Sequence, residues 1–512
     1  MMVYLPLMLA SLIIIFIIVM HNVRPKFRYF WFIAIGGSLS ILISLIGWLN
    51  ELPLKFSLTF SNDQLFRVFS PMWNVNDLTL PVAFSLSVLT IAALLTAVVR
   101  NVSDPVDWAS ILLFTLFGIL AILSGNLSAL VICWVSIDLL EVITFIRYCK
   151  AGKSNDIVVG LSIKFIGILL SIWSVIICFT SGLPITLESI PGNIGRLLIA
   201  ISVFRIGFLP LSLPVNESDY SKGVFTVSRI ITASSGLMLL VYFPTNLIKP
   251  SSLPLSILIL GFLILVTSFA WLFTKNELIG KSYLFLSFGL LILISVIDGK
   301  IERGFLVLST MILLSGLSSL YFIRNKKNIW IPLVSLWGLS TLPFSMTSGI
   351  FPYSSTISTS FYVPAIIGYS VLMVGFVKDL TSRISDTRTT QQPKWVSIMY
   401  NFGLLVILLM IISIGSFYGF KYQIKYLNWI NFVPLGLAIG FFLVYGRFKR
   451  SIEGINISSP INLINPFPGL VWGFYNFFRR ITTGINFILE GDGGMLWSLV
   501  IFVLFITILT QG

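Results

Sequence analysis

The sequence predicts an all-α polytopic membrane protein of about sixteen transmembrane helices, with two inverted five-helix repeats that each contain a broken helix. Three observations lead there. Only 10% of the 512 side chains are charged and 57% are hydrophobic, whereas a soluble chain carries roughly 25% charged residues. The apolar stretches are long and follow one another almost without pause. The basic residues alternate between successive connections, as they do when a chain is threaded back and forth across a bilayer.

In chain order, apolar stretches lie near 4–20, 29–48, 78–99, 107–124, 126–146, 157–180, 194–213, 224–243, 254–274, 278–297, 304–323, 329–350, 360–378, 396–419, 427–446 and 495–510. Each approaches the roughly 20 residues that a spanning helix needs. The first is expected to be a permanent span and not a cleavable signal peptide, because no Lys or Arg precedes it while Arg24, Lys26 and Arg28 follow it. Odd-numbered connections hold 21 basic residues and even-numbered ones 7. Both termini are therefore expected outside the cell inner (plasma) membrane. The net charge of +14 then has a topological origin and asks for no nucleic-acid partner. The chain divides into spans one to three (1–100), a first five-span repeat (107–245), a second, inverted one (254–378), spans fourteen and fifteen (395–447), a cytoplasmic connector (451–494) and a last span (495–512).

Several chemistries are excluded early. Cys133, Cys149 and Cys178 form no CxxC pair, and His21 is the single histidine. A disulfide framework, an iron–sulfur site, paired haem ligation and a multi-histidine metal site are thus not encoded. No cofactor and no catalytic centre are expected in this chain.

Two spans are interrupted. The seventh contains Arg205, Pro210 and Pro214, and the twelfth contains Pro343, Ser345, Thr347, Ser348 and Gly349. Such breaks free backbone groups that lipid cannot satisfy, so they belong inside protein or beside a wet cavity. Each falls fourth in a block of five spans, and five being odd, the second block enters from the opposite side. Paired interruptions in an inverted repeat point to a transporter core, and a packing kink is the alternative.

Five stretches carry a family resemblance: WNVNDLTLPVAFSLSV (73–88), SGNLSALVICWVSIDLLEVITFI (124–146), VFRIGFLPLSLP (203–214), VSRIITASSGLMLLVYF (227–243) and NELIGKSYLFLSFGLL (276–291). In order and spacing they resemble the antiporter-like, proton-conducting subunits of respiratory complex I, membrane-bound hydrogenases and Mrp-type cation antiporters. The resemblance implies a fifth-span carboxylate paired with a lysine at the break of the seventh. It also implies a lysine or histidine in the eighth span and polar groups in the eleventh and twelfth along a hydrated path.

This chain departs from that pattern. Val135 follows Trp134 where the family has Glu, the nearest acids being Asp138 and Glu141. The seventh-span base is Arg205, which stays protonated, and the eighth-span position is Thr232. No histidine lies in the eleventh span, and no Lys or Glu at the twelfth-span break.

The expected ion-path residues are Asp138, Glu141, Lys164, Arg205 and Thr232. The broken-helix residues are Pro210, Pro214, Pro343, Ser345 and Gly349. An ionisable group at the bilayer centre costs at least ~2.5–3.5 kcal/mol, so each asks for a partner or a role. Asp138 and Glu141, at i,i+3, share one helix side, where one could raise the pKa of the other. The alternative is a static ion network that locks the bundle. Arg229 is expected to snorkel toward the cytoplasm, Glu277 and Lys281 to sit near a cytoplasmic end, and the second repeat to act mainly as scaffold. In the connector, Phe474, Phe477, Phe478 and Ile481 set against Arg479 and Arg480 predict an amphipathic interfacial helix.

The expected function is that of an antiporter-like membrane subunit of a complex I-related (NADH dehydrogenase- or hydrogenase-like) assembly. It would take part in proton or sodium translocation through a partly degenerate path, with lipid and further membrane and peripheral subunits as partners. A non-pumping scaffold subunit, or the membrane partner of an inorganic-carbon uptake system, are the alternatives.

Overall fold

The computed structural model describes residues 5–24, 27, 29–58, 70–100, 105–148, 154–182, 185–206, 223–245, 250–274, 277–321, 328–351, 358–381, 393–422, 429–454 and 480. The chain forms two compact units, Met1–Glu453 and Gly454–Gly512. Apart from Gly454 and Arg480, the second lies outside the described residues, and with it the connector 461–494 and the sixteenth span.

The helices of the first unit are α1 (Leu5–Val23), α2 (Phe30–Gly47), α3 (Leu80–Ala97), α4 (Pro105–Ile122), α5 (Leu127–Tyr148), α6 (Ser154–Thr180), α7 (Gly195–Ile206), α8 (Val224–Val241), α9 (Leu253–Phe273), α10 (Glu277–Ile297), α11 (Ile301–Leu320), α12 (Trp330–Ser335), α13 (Val363–Thr381), α14 (Lys394–Tyr422) and α15 (Val433–Gly454). Among the described residues, twelve helices are long and apolar enough to cross a membrane, not sixteen. The difference has three sources. The expected seventh span is described only as α7, because 207–213, with Pro210, lies outside the described residues, as does Pro214. The twelfth and fifteenth spans coincide with the shorter apolar stretches Trp330–Leu339 and Ile430–Val444. The last span is not described.

Burial, not hydrophobicity, separates inner from outer helices. Every residue of α3 and of α8 is buried, and such all-round apolar helices belong in a core. α3 packs on α2, α4, α11 and α14, while α8 packs on α4, α7, α10 and α11. α5, α6, α9 and α14 turn Leu139, Phe165, Val266 and Phe402 outward, onto the face that lipid would cover. Helical serines and threonines mostly bond back to the carbonyl one turn earlier, as Ser85, Ser87 and Thr90 do in α3, which satisfies their hydroxyls at low cost.

Glycines set the closest approaches, as they do between helices in lipid. A Cβ at Gly368 in α13 would stand 2.7 Å from the Leu265 backbone nitrogen of α9. One at Gly415 in α14 would collide with the Phe344 carbonyl oxygen.

A hairpin absent from the sequence expectation covers one end. β1 (Leu54–Ser57) pairs antiparallel with β2 (Met72–Val75), Phe56 opposite Trp73, and these two rings stack at 5.4 Å. β2 is tied to the α4–α5 turn: Gly125 N donates to Met72 O at 2.8 Å, and Asn126 Oδ1 accepts from Met72 N at 3.2 Å. The same Asn126 oxygen caps α5 through Ala129 N at 2.9 Å.

α12 gives way to a 3-10 turn, Leu336–Leu339, and then to irregular chain. Thr341 (φ 56°), Phe344 (φ 64°) and Gly349 (φ 70°) are left-handed there, a conformation that costs a non-glycine residue roughly 1–2 kcal/mol. The freed carbonyls find partners: Tyr369 Oη donates to Leu339 O and Thr347 Oγ1 to Gly338 O, both at 2.8 Å.

Gly368→Leu should lower the thermal midpoint of the detergent-solubilised protein, because overpacking at a backbone contact costs ~1–3 kcal/mol. Gly436→Ala, with nothing within 4 Å of its Cβ, should not. Intrinsic-fluorescence melting curves of the two variants check the contrast.

Candidate functional site

α5 carries the chemistry on one face, because residues three, four and seven apart share a helix side. Trp134, Asp138 and Glu141 point inward, while Val135, at the position where a carboxylate was sought, faces outward at 47% exposure. The acid nearest α7 is Asp138: Arg205 Nη1 donates to its Oδ2 at 2.6 Å.

Arg205, at 0% exposure, fits because its neighbours leave room. A Cβ on Gly236 of α8 would come within 2.7 Å of the Arg205 Cβ, and one on Gly167 of α6 within 3.3 Å of its Cδ. The Trp134 ring lies under the guanidinium at 4.6 Å, within cation–π range, and is itself held by its Nε1 donating to Ser235 Oγ at 3.0 Å. Arg205 Nε and Nη2 and Asp138 Oδ1 are buried without a protein hydrogen-bond partner.

One turn further along α5 lies a second ion pair. Lys164 of α6 donates to Glu141 Oε2, and Thr232 Oγ1 of α8 lies 2.8 Å from Glu141 Oε1. The same Thr232 hydroxyl is 2.9 Å from the Ser228 carbonyl, so its single proton has two acceptors. The structure thus brings all five expected ion-path residues together on α5, α6, α7 and α8. Each carboxylate has its own base, and the expected coupling of the two acids gives way to two stacked ion pairs.

One base lies differently from the sequence expectation, and a second, near a helix end as expected, is buried there. Arg229 does not snorkel outward. It is 9% exposed, its Nη2 donating to Ser282 Oγ of α10 at 2.7 Å, with Phe285 5.7 Å away. Lys281 is 3% exposed and donates to Ser319 Oγ of α11 at 2.5 Å. Both sit only about a turn inside their helices, which is why they read as end residues. The signal for an inward orientation was the serine beside each of them on the facing helix.

Toward the second interruption, Ser345 and Thr347 are buried, and the Arg303 guanidinium packs on Gly349, whose Cβ would stand 3.0 Å from Nη2. Arg303, in the first turn of α11, therefore reaches the chain after Pro343. At the same end, Lys300 Nζ donates to Asp298 Oδ2 at 2.5 Å and Tyr362 Oη to Asp298 Oδ1 at 3.0 Å. Burial holds the Lys300 amine below its ordinary value, against the pull of Asp298. Among the described residues no cluster of three His, Cys, Asp or Glu side chains could hold a metal ion.

No family model and no curated protein sequence matches the chain. Solved structures do. The chain is similar to one in the Mrp complex of Dietzia sp. DQ12-45-1b (TM-score 0.65, 10% identity), covering 100% of this chain and 63% of that one. It is also similar to one in the membrane-bound sulfane sulfur reductase, an archaeal respiratory membrane complex (TM-score 0.61, 13% identity, 99% of both chains). A third is in respiratory complex I of Thermus thermophilus (TM-score 0.58, 12% identity, 81% of this chain and 97% of that one). The architecture is that of an all-α polytopic membrane protein. More specifically, the fold is the one shared by the antiporter-like subunits of these assemblies.

Asp138→Asn should destabilise the protein by about 3–5 kcal/mol, because it strands the Arg205 charge, while the double variant Asp138→Asn/Arg205→Gln should be milder. Denaturation in mixed micelles measures both. Gly236→Val should displace Arg205 and mimic the single variant in the same assay.

Proposed function

We propose that this chain is an antiporter-like membrane subunit of a multi-subunit, complex I-related assembly, and that it takes part in proton or sodium movement through the α5–α8 site. The observation that carries this reading is the quartet Asp138, Arg205, Glu141 and Lys164, two ion pairs in which Arg205 and Glu141 are buried and their partners largely so, in a fold shared with chains of such assemblies. Intramembrane ionisable groups in so apolar a chain are functional candidates by default. In this reading α4–α8 and α9–α13 are the two inverted five-helix repeats. The chains near Pro210 and Pro343 are their broken helices, the termini lie outside the plasma membrane, and the partners are further membrane and peripheral subunits.

A second reading, a non-pumping scaffold, draws support from the second repeat. There Thr347 and Tyr369 spend their hydroxyls on backbone carbonyls, and serines and threonines do not titrate near neutral pH. Both readings meet in a half-channel whose activity depends on assembly.

Mass spectrometry of the chains that co-purify with the protein separates the candidates. Iron–sulfur or hydrogenase subunits support the redox-driven assembly, and a zinc-bearing peripheral protein supports the carbon-uptake alternative. Reconstituted alone in liposomes, the chain should leave an imposed pH gradient intact when sodium or potassium is added. Rapid exchange would make it a complete antiporter. Cysteine labelling at positions 388 and 422 should report opposite sides of the membrane.

A further inference from the structure

The two ion pairs on α5 are chemically unequal. Arg205 is fully buried, does not deprotonate, and is braced by Trp134, Gly167 and Gly236. Its one protein acceptor is Asp138. Protonating Asp138 would leave a permanent cation uncompensated inside the bundle. Glu141 faces a partner of another kind, a lysine ammonium, which unlike a guanidinium is able to release a proton.

We propose that Glu141 and Lys164 form the proton-exchanging couple of the site, while Asp138 and Arg205 are a permanently charged positioning pair that holds α5 against α7. This rests on the proton-movement reading above and says which groups carry it. The elementary step transfers a proton from Lys164 Nζ to Glu141 Oε2. One N–H bond breaks, one O–H bond forms, and a neutral amine and a neutral acid replace the ion pair with no net charge change and no redox partner.

Thr232 accommodates both states. Its hydroxyl proton serves Glu141 Oε1 while the acid is ionised and turns to the Ser228 carbonyl, 2.9 Å away, once the acid is neutral. Neither state leaves the hydroxyl unsatisfied. Charged groups near the pair on neighbouring helices have partners of their own: Arg205 of α7 pairs with Asp138, and Arg229 of α8 reaches toward Ser282. Asp107 of α4 is committed to Arg147 and Tyr148 at the end of α5. The exchangeable lysine therefore sits on α6, and the helix before the second ion pair's threonine, α7, contributes only fixed charge.

Infrared difference spectra of the full-length protein in lipid vesicles, recorded across a pH titration, test the assignment. A protonated-carboxyl band should titrate in the wild type and vanish in Glu141→Gln. It should persist in Asp138→Asn/Arg205→Gln, which removes both charges of the positioning pair and so avoids a stranded cation. Lys164→Arg, whose guanidinium keeps its proton, should hold Glu141 ionised and shift the band's midpoint to lower pH by a unit or more, on the order of a tenfold change in proton affinity. A band that survives Glu141→Gln, or that is lost in the double variant, overturns the proposal, as does an unchanged midpoint in Lys164→Arg. The transport reading fails separately, in an assembled complex that moves no protons while the Glu141 band still titrates. A proton-moving complex unaffected by Glu141→Gln overturns the couple alone.

Discussion

A guanidinium that never loses its proton, enclosed where water has no access, sets the terms for the first half of this bundle. Arg205 needs a counter-ion, a polarisable face and space for its stem, and together these needs draw in three other helices. Asp138 and the Trp134 ring, both on α5, meet the first two. Gly167 and Gly236 meet the third from α6 and α8. Four helices thus converge on one side chain. The positions of Glu141, Lys164 and Thr232 follow one turn along, because helical residues three and four apart stay neighbours.

The second half solves a different problem with different groups. Past α12 the chain runs irregularly among buried residues, and its carbonyls must be met from within. Tyr369, Thr347 and Thr341 meet carbonyls of residues 339, 338 and 431. Hydroxyls used in this way hold a fold together and carry no charge. Three charged groups of this half, Asp298, Lys300 and Arg303, gather at the start of α11 and around Gly349.

How much of this was legible in the sequence depended on whether the signal was chemical or directional. Charges in apolar stretches stand out, so Asp138, Glu141, Lys164 and Arg205 were visible, and the family resemblance implied an acid of the fifth span facing the base of the seventh. The side each residue faces was harder to read. α3 and α5 are both strongly apolar, yet one is buried throughout and the other half exposed. Lipid tails are as apolar as leucine, so composition does not separate the two environments. The same ambiguity made Arg229 look as though it would snorkel outward, when Ser282 across the helix interface draws it inward. The hairpin was missed because its strands are only four residues each, although Leu54 and Phe56, and Trp73 and Val75, alternate with polar or flexible neighbours as half-buried strands do.

α5 is fastened at both extremities. Asn126 caps its first turn and accepts from the hairpin, while Arg147 and Tyr148 in its last turn hold Asp107 of α4. A rod pinned at two points neither tilts nor slides without breaking one of the pins. Rearrangement at the acids along its middle is thereby left to side-chain torsions, which turn over in picoseconds to nanoseconds where they are free, and not to the helix shifts that take microseconds to milliseconds. The first half of the bundle is built as a stator, with its moving parts confined to a lysine stem and a hydroxyl rotor.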